Sequence, residues 1–526
     1  MSADRWRPGR DRRAVRHPGR PGSARIKHRS TGETPHVVVA GGGLAGIAAA
    51  VGLAERGVRV TLIEPHPQLG GRVRAWPVGD GRSMSRGFHA FFRQYYNLRA
   101  LLRRFDPTLA HLVPVPDYPL VLAGSHTDSF ATIPPTPPLN LAAFVARSPS
   151  FRAVDLTRVD IAAALELLDV RFPQTFSQYD GESAAAFLDR LRFPERARHL
   201  ALEVFARSFF AHPADFSAGE LVAMFHTYFV GSAEGLLFDV PDDDYDTACF
   251  APLRDHLERL GVDVRTGRRV EELDTTDAAT DAPGSGPLTV WLDDGALPAD
   301  AVVLAADPAA TRSIVGASPT IGTAEWRAGV AATRNAPPFA VWRLWLDRPV
   351  APERPAFLGT SGFGPLDNVT VLERFETGAA RWAAAHGGSV VELHAYAAPA
   401  DAADPAVGAQ LRERLRAELA RVYPETTDAG TVADEWLVQD DCPLVGTGPW
   451  AARPGVTTPD PRVLLAGDWV RCDLPVALME RATVTGFSAA NELLSGWGVA
   501  GHDLWTVPMA GRIPGVGPVR RALSRR

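Results

Sequence analysis

At 526 residues, 46% hydrophobic and 22% charged, the chain has the composition of an ordinary globular protein with room for two or three domains. Its formal net charge of −6 offers no general attraction for nucleic acid, and no segment approaches about eighteen consecutive apolar residues, so a spanning helix is not expected. Cys249, Cys442 and Cys472 lie far apart without a Cys-x-x-Cys pair, which supports neither a disulfide framework nor a zinc ribbon. A cytoplasmic setting is the default, and no metal ligands are assigned.

Residues 1–34 are rich in arginine, proline and glycine and almost lack aliphatic side chains. Such a segment buries too little apolar surface to offset its ordering entropy, so a disordered basic arm is expected, with contact to anionic lipid as its functional reading. His36-Val-Val-Val-Ala40 then reads as a buried parallel strand. Gly41-Gly-Gly-Leu-Ala-Gly46 satisfies G-x-G-x-x-G, a small-residue helix follows from Leu44 to Arg56, and a second strand ends on Glu64. In this order Gly41 allows the tight turn, Gly43 lets backbone approach a pyrophosphate, and Gly46 lets the helix pack on the strand. The helix start at Leu44 and Ala45 offers free N–H groups to phosphate, and Glu64 can accept hydrogen bonds from both hydroxyls of an adenosine ribose.

Leu69-Gly-Gly-Arg-Val73 places Gly71 and Arg72 directly after that acid, where a guanidinium can reach back over the pyrophosphate. The run resembles the flavoprotein family of amine oxidases and carotenoid desaturases, and the cofactor that resemblance implies is FAD. It also implies an α/β architecture, a Rossmann-like FAD-binding domain of the glutathione-reductase type with an inserted α+β substrate domain.

Arg86-Gly-Phe-His-Ala-Phe-Phe92, followed by Tyr95-Tyr-Asn-Leu98, looks like the carotene desaturase/methyltransferases that make aromatic end groups. The resemblance puts Gly87, Phe88 and His89 beside the flavin ring. Prolines crowd residues 114–151, where little regular structure is expected. Helical spacing then dominates Ile161–Leu168, Ala184–Leu191, His199–Phe210 and Gly219–Val230. Phe205, Phe209, Phe210, Met224, Phe225, Tyr228 and Phe229 crowd together there and serve as helical core or as the wall of a tunnel for an apolar polyene. Ala251–Leu260 reads as a helix, and a strand and turn follow through Val270, whose main chain the family uses to bind adenine. Ala301–Ala305 reads as a further apolar strand, which the resemblance implies closes the dinucleotide sheet, and the acidic insert from Asp274 to Gly286 reads as a surface hairpin tip.

Alternating runs such as Phe339–Leu346 and Ser389–Tyr396 predict antiparallel strands, and Gln410–Val422 an amphipathic helix. The last diagnostic stretch is Ala466-Gly-Asp468 followed by Met479-Glu-Arg-Ala482 and Gly486, which matches the carotenoid-desaturase signature. It implies that Gly467 and Asp468 meet the ribityl side of the cofactor and that Met479 and Ala482, at a helix start, meet its pyrimidine end. The domain division expected is residues 35–100, 240–310 and 456–500 for FAD, 101–239 and 311–455 for substrate, and 501–526 as a tail.

The activity implied is desaturation of the β-ionone ring of β-carotene with a 1,2-methyl shift. His89, Glu480 and Asp473 are the candidates for base or cation stabiliser. No second dinucleotide fingerprint is present, so a quinone or oxygen is expected to take the electrons. Another polyene desaturase, a carotene isomerase, an amine oxidase and a non-catalytic lipid escort are the alternatives on the same fold. The locale expected is cytoplasmic, with a peripheral membrane contact left open.

Overall fold

The computed structural model describes residues 9–26, 34–201, 210–275 and 288–523. At its centre is a five-stranded parallel sheet built from β1 (His36–Ala40), β2 (Arg59–Glu64), β3 (Asp263–Thr266), β4 (Ala301–Leu304) and β5 (Val463–Leu465), in the spatial order β3-β2-β1-β4-β5. Val38 lies opposite Thr61 on β2 and Val302 on β4, and Val303 opposite Leu464 on β5, so strands from three distant stretches share one register.

β1 is buried along its whole length, as a parallel strand covered on both faces must be. Val37 and Val39 pack into the core that holds helices α1 (Leu44–Ala54) and α3 (Leu478–Gly496), whereas Val38 and Ala40 face the core under the antiparallel sheet of Val270–Asp274, Leu288–Leu292 and Gly295–Ala299. The helices α1 and α3 approach closely because small residues line their contact. A Cβ on Gly486 would fall 2.1 Å from the Ala45 carbonyl oxygen, and one on Gly52 would meet the Ala490 Cβ at 3.0 Å.

A second, seven-stranded sheet is mostly antiparallel. Phe339–Leu346 lies between Thr431–Gln439 and Ser389–Ala395, and Leu120–Leu122 joins the other side parallel to Phe357–Ser361. The proline-rich stretch is therefore more regular than expected, for it supplies two short strands and the helix Leu139–Arg147. One face of this sheet, carrying Ala340, Trp342, Leu344, Val391 and Leu393, packs on Leu411, Leu415 and Leu419 of the helix Pro405–Val422. Its other face carries Arg343, Glu392 and His394, all buried, so the period-two pattern separates two interior faces rather than a core from water.

The chain between residues 150 and 230 folds into short helices, among them Ile161–Glu166, Ala184–Arg190 and Ala218–Phe225. The expected helix at His199–Phe210 is seen as Arg198–Ala201, and its remainder through residue 209 lies outside the described residues, as do the tip of the 274–286 insert and Phe205 and Phe209.

The expectation of a disordered arm over residues 1–34 is corrected for residues 9–26; residues 1–8 and 27–33 lie outside the described set. Val15–His17 pairs antiparallel with Leu504–Thr506, and buried Asp11 accepts from the Ala233 amide while Glu234 accepts from the amides of Arg10 and Asp11. The arm is ordered by backbone hydrogen bonds to partners more than two hundred residues away, which its own composition does not reveal. Among the described residues no helix is long and apolar enough to cross a membrane.

Candidate active site

A single cleft opens at the C-terminal ends of β1 and β2 and runs to the seven-stranded sheet. That is where an open parallel sheet places its ligands. Its near end is made of bare backbone. Gly41 takes φ +115°, and a Cβ there would lie 2.5 Å from the Ala305 carbonyl oxygen. Gly43 is the residue before α1, and no side chain caps the helix, so the first N–H groups at Leu44 and Ala45 face the cleft. Gly46 does not line it; a Cβ at Gly46 would overlap the Gly41 carbonyl at 1.8 Å, which assigns that glycine to closing helix on strand.

Glu64 ends β2 inside the cleft with its carboxylate held by two amides, from Gly42 at 2.7 Å and His66 at 3.0 Å. Burial raises its pKa against the pull of those donors. Across the cleft Arg72 and Asp468 form a two-pronged ion pair at 2.9 and 2.5 Å. Burial works against the Arg72 charge, but Asp468 more than offsets it and its pKa is raised. Gly71 and Gly43 bring bare backbone together, since a Cβ on Gly71 would sit 3.0 Å from the Gly43 Cα. Backbone donors, a buried acid at a strand tip and a cation–carboxylate pair along one groove fit a dinucleotide. Gly467, Met479 and Ala482 line the same groove beyond Asp468.

The far end is a chamber walled by Phe88, Phe92, Tyr118, Phe210, Phe238, Phe339 and Phe357. Phe88 and Phe357 lie 4.4 Å apart between ring centroids, and Tyr118 stands 4.8 Å from Phe238. Of the aromatic cluster singled out in the helical insert, Phe210 alone among the described members reaches this wall; Met224, Tyr228 and Phe229 are buried in the main core, and Phe225 stacks on Phe229.

The candidate residues separate sharply. His89 lines the cleft with its Nδ1 2.8 Å from the Gly87 carbonyl oxygen. A carbonyl only accepts, so Nδ1 carries the proton and Nε2 keeps its lone pair. Burial brings the imidazole pKa down to about 4, so the ring is neutral at physiological pH. Gly87 takes φ +97° and is not itself in the lining; it packs against His394, where a Cβ would come to 2.6 Å.

Two of the three catalytic candidates are corrected. Glu480 is buried away from the cleft, and its oxygens accept from the Asn97 amide and side chain and from the Leu98 amide, so it fixes the start of the helix Tyr96–Leu102, α2 here. Asp473 is exposed and outside the cleft. Val270 is also absent from the lining, its side chain buried in the core under the small antiparallel sheet. Glu480 and Asp473 were chosen by residue type in the stretch that carries the resemblance, which does not report which way a side chain points; the Val270 expectation came from the resemblance and concerned its main chain.

The sequence reading missed three features. Arg86 and Asp441 form a bidentate pair in the cleft wall. Leu478, at the first position of α3, takes φ +52° and lines the cleft. Glu392, His394 and Tyr396 form a hydrogen-bonded series under the chamber. Their alternation along one strand was the available signal, read only as evidence for an antiparallel strand. Away from the cleft His126, Asp128 and His199 bring ligating atoms within 4.8 Å. There the hydroxyls of Ser148 and Ser150 already occupy the Asp128 carboxylate and Arg196 lies against His126, which makes it a polar knot.

The sequence profile of flavin containing amine oxidoreductases matches residues 44–494. A carotenoid phi-ring synthase of Streptomyces griseus is 56% identical over 510 residues, 96% of each chain. A carotenoid phi-ring synthase of Chlorobaculum tepidum is 28% identical over 600 residues, 90% of each chain. Among solved structures, a putrescine oxidase bound to putrescine superposes with a TM-score of 0.65 at 14% identity, covering 88% of this chain and 99% of the other.

Proposed function

We propose, from the premise that this chain belongs to the family of flavin-containing amine oxidoreductases and is an FAD-dependent oxidoreductase, that it converts the β-ionone ring of a carotenoid into an aromatic end group, by desaturation with a 1,2-methyl shift as in isorenieratene-type pigments. The observation that carries the proposal is the continuity of one cleft, from the backbone cradle at Gly43 and the acid Glu64, past the Arg72–Asp468 pair, into a chamber walled by phenylalanines. The likeness to the two carotenoid phi-ring synthases supports the same substrate class.

Gly43, Leu44, Ala45 and Gly71 would hold the pyrophosphate of FAD, Glu64 its adenosine ribose, and Asp468, Met479 and Ala482 its flavin half. Bound FAD supplies a two-electron oxidant able to accept hydride, which suits a hydrocarbon ring with no acidic proton. The protein's part is to hold the ring, exclude water and remove protons. The apolar chamber binds a polyene by area and keeps water from a carbocation formed within it. His89 presents a neutral Nε2 to the cleft and is positioned to take a proton.

The locale proposed is the cytoplasmic face of a membrane, where such a substrate dissolves. In support, Leu139, Val154 and Ile161 stand exposed on the helical insert, and the helix Val516–Leu523, which carries Arg520 and Arg521, packs against Ile161–Glu166. A quinone or oxygen is the proposed final electron acceptor. The test is expression in a host that makes β-carotene, followed by pigment analysis. Aromatic end groups are expected; unaltered β-carotene, or desaturation confined to a linear polyene, would overturn the assignment.

A further inference from the structure

Under the chamber the second sheet carries Glu392, His394 and Tyr396 on alternate positions of one strand and its exit, so all three project to the same side. Glu392 Oε2 accepts from Arg343 at 2.7 and 3.0 Å, and Glu392 Oε1 lies 2.9 Å from His394 Nε2. His394 Nδ1 lies 2.7 Å from the Tyr396 hydroxyl, which also accepts from Asn368 Nδ2 at 2.8 Å. His394, Tyr396 and Asn368 line the chamber, with Phe210 edge-on to Tyr396 at 4.8 Å.

The proton positions follow from the partners. Burial opposes a charge on Glu392, but Arg343 and His394 outweigh it and bring its pKa down to about 2, so the carboxylate only accepts. The Phe88 amide also points at His394 Nε2, from 3.3 Å, but the ionised Glu392 oxygen is nearer at 2.9 Å and is the stronger partner, so Nε2 carries the proton toward Glu392, Nδ1 is left as an acceptor, and the Tyr396 hydroxyl donates to it. The series runs carboxylate, imidazole, hydroxyl, with the hydroxyl oxygen toward the chamber. Facing the pair are Asp367, whose carboxylate takes the Tyr396 amide, and His89 on the opposite wall.

We infer that Tyr396, His394 and Glu392 form a proton relay that deprotonates the substrate cation, an inference that rests on the carotenoid reading above. The ring C–H bond breaks and its electron pair becomes the new ring double bond. Its proton bonds to Tyr396 Oη as the phenolic proton passes to His394 Nδ1. Tyrosine stays neutral, the positive charge moves from substrate to imidazolium, and Glu392 stabilises that imidazolium through Nε2–H. No electrons leave in this step.

The test compares wild type with Tyr396→Phe, which removes one hydroxyl and leaves the ring. With a β-ring carotenoid under anaerobic conditions, the variant should bleach its flavin at the wild-type rate while aromatic product falls by about 100-fold or more. Independently of turnover, proton NMR of the wild type should show a far-downfield imidazole N–H that moves in Tyr396→Phe and vanishes in His394→Gln. Unchanged aromatic yield in Tyr396→Phe, or no such resonance in wild type, would overturn the relay alone. A wild type that neither bleaches nor forms product would sink the functional reading, and the relay with it.

Discussion

His89 and Glu480 show how little a residue's type says about its task. Both are titratable, yet the half-buried His89 presents a lone pair to the cleft and the buried Glu480 is consumed by three donors around Asn97 and Leu98. His89→Ala should lower aromatic product by about 100-fold or more while FAD remains bound, as read by pigment yield and flavin absorbance. Asp473→Asn should leave yield unchanged and move stability by less than about 0.5 kcal/mol, because the side chain is exposed and outside the cleft. Glu480 makes a further prediction through pH. Burial raises its pKa to about 7, as it does for Glu376, against an ordinary value of 4.5. The folded state therefore binds more protons than the unfolded state between those values. The contribution of these acids to stability is largest below about pH 4.5 and declines as pH rises through about 7. Denaturant unfolding at about pH 5.5 and about pH 8, compared between wild type and Glu480→Gln, should show a smaller pH slope in the variant.

At the scale of the element, the opening unit was legible because its instructions are local. Strand, glycines, helix, strand and acid each act on neighbours within thirty or so residues, and the G-x-G-x-x-G spacing cannot tolerate a Cβ at Gly46 or a right-handed turn at Gly41. The strand Ser389–Ala395 was legible as a strand but not as a proton pathway. Alternation of Glu392 and His394 with valine, leucine and alanine fits a solvated face equally well, and only the distant Arg343 and the chamber on that side decide between them. The small-residue contact between α1 and α3 gives a direct test. Gly486→Ala would push a methyl against the Ala45 carbonyl and should cost about 1–3 kcal/mol, read as a lowered Tm together with weaker FAD retention, since Ala45 lies at the cradle. Leu478 belongs to this scale too. Its φ of +52° stores about 1–3 kcal/mol at the start of α3, directly on the cleft.

For the whole molecule, the arm and tail change what truncation should do. A disordered arm could be removed freely, whereas residues 9–26 pair with the tail, cap Glu234 and lie against Tyr96. Deleting residues 1–26 should lower Tm by several degrees in a thermal melt, where an unanchored arm would leave it unchanged. These contacts were illegible because their partners lie far along the chain, and arginine-rich composition speaks only of what a segment does alone.

The central sheet has a consequence for how the protein is made. β4 has β1 on one side from early in the chain, but its other edge waits for β5, whose residues follow more than one hundred and fifty positions later. During synthesis a nascent chain must therefore leave the ribosome with an apolar strand edge open until Val463–Leu465 emerges. That exposed edge makes this polypeptide a natural client for chaperones, and overexpression without them should favour inclusion bodies at the expense of yellow, flavin-loaded enzyme.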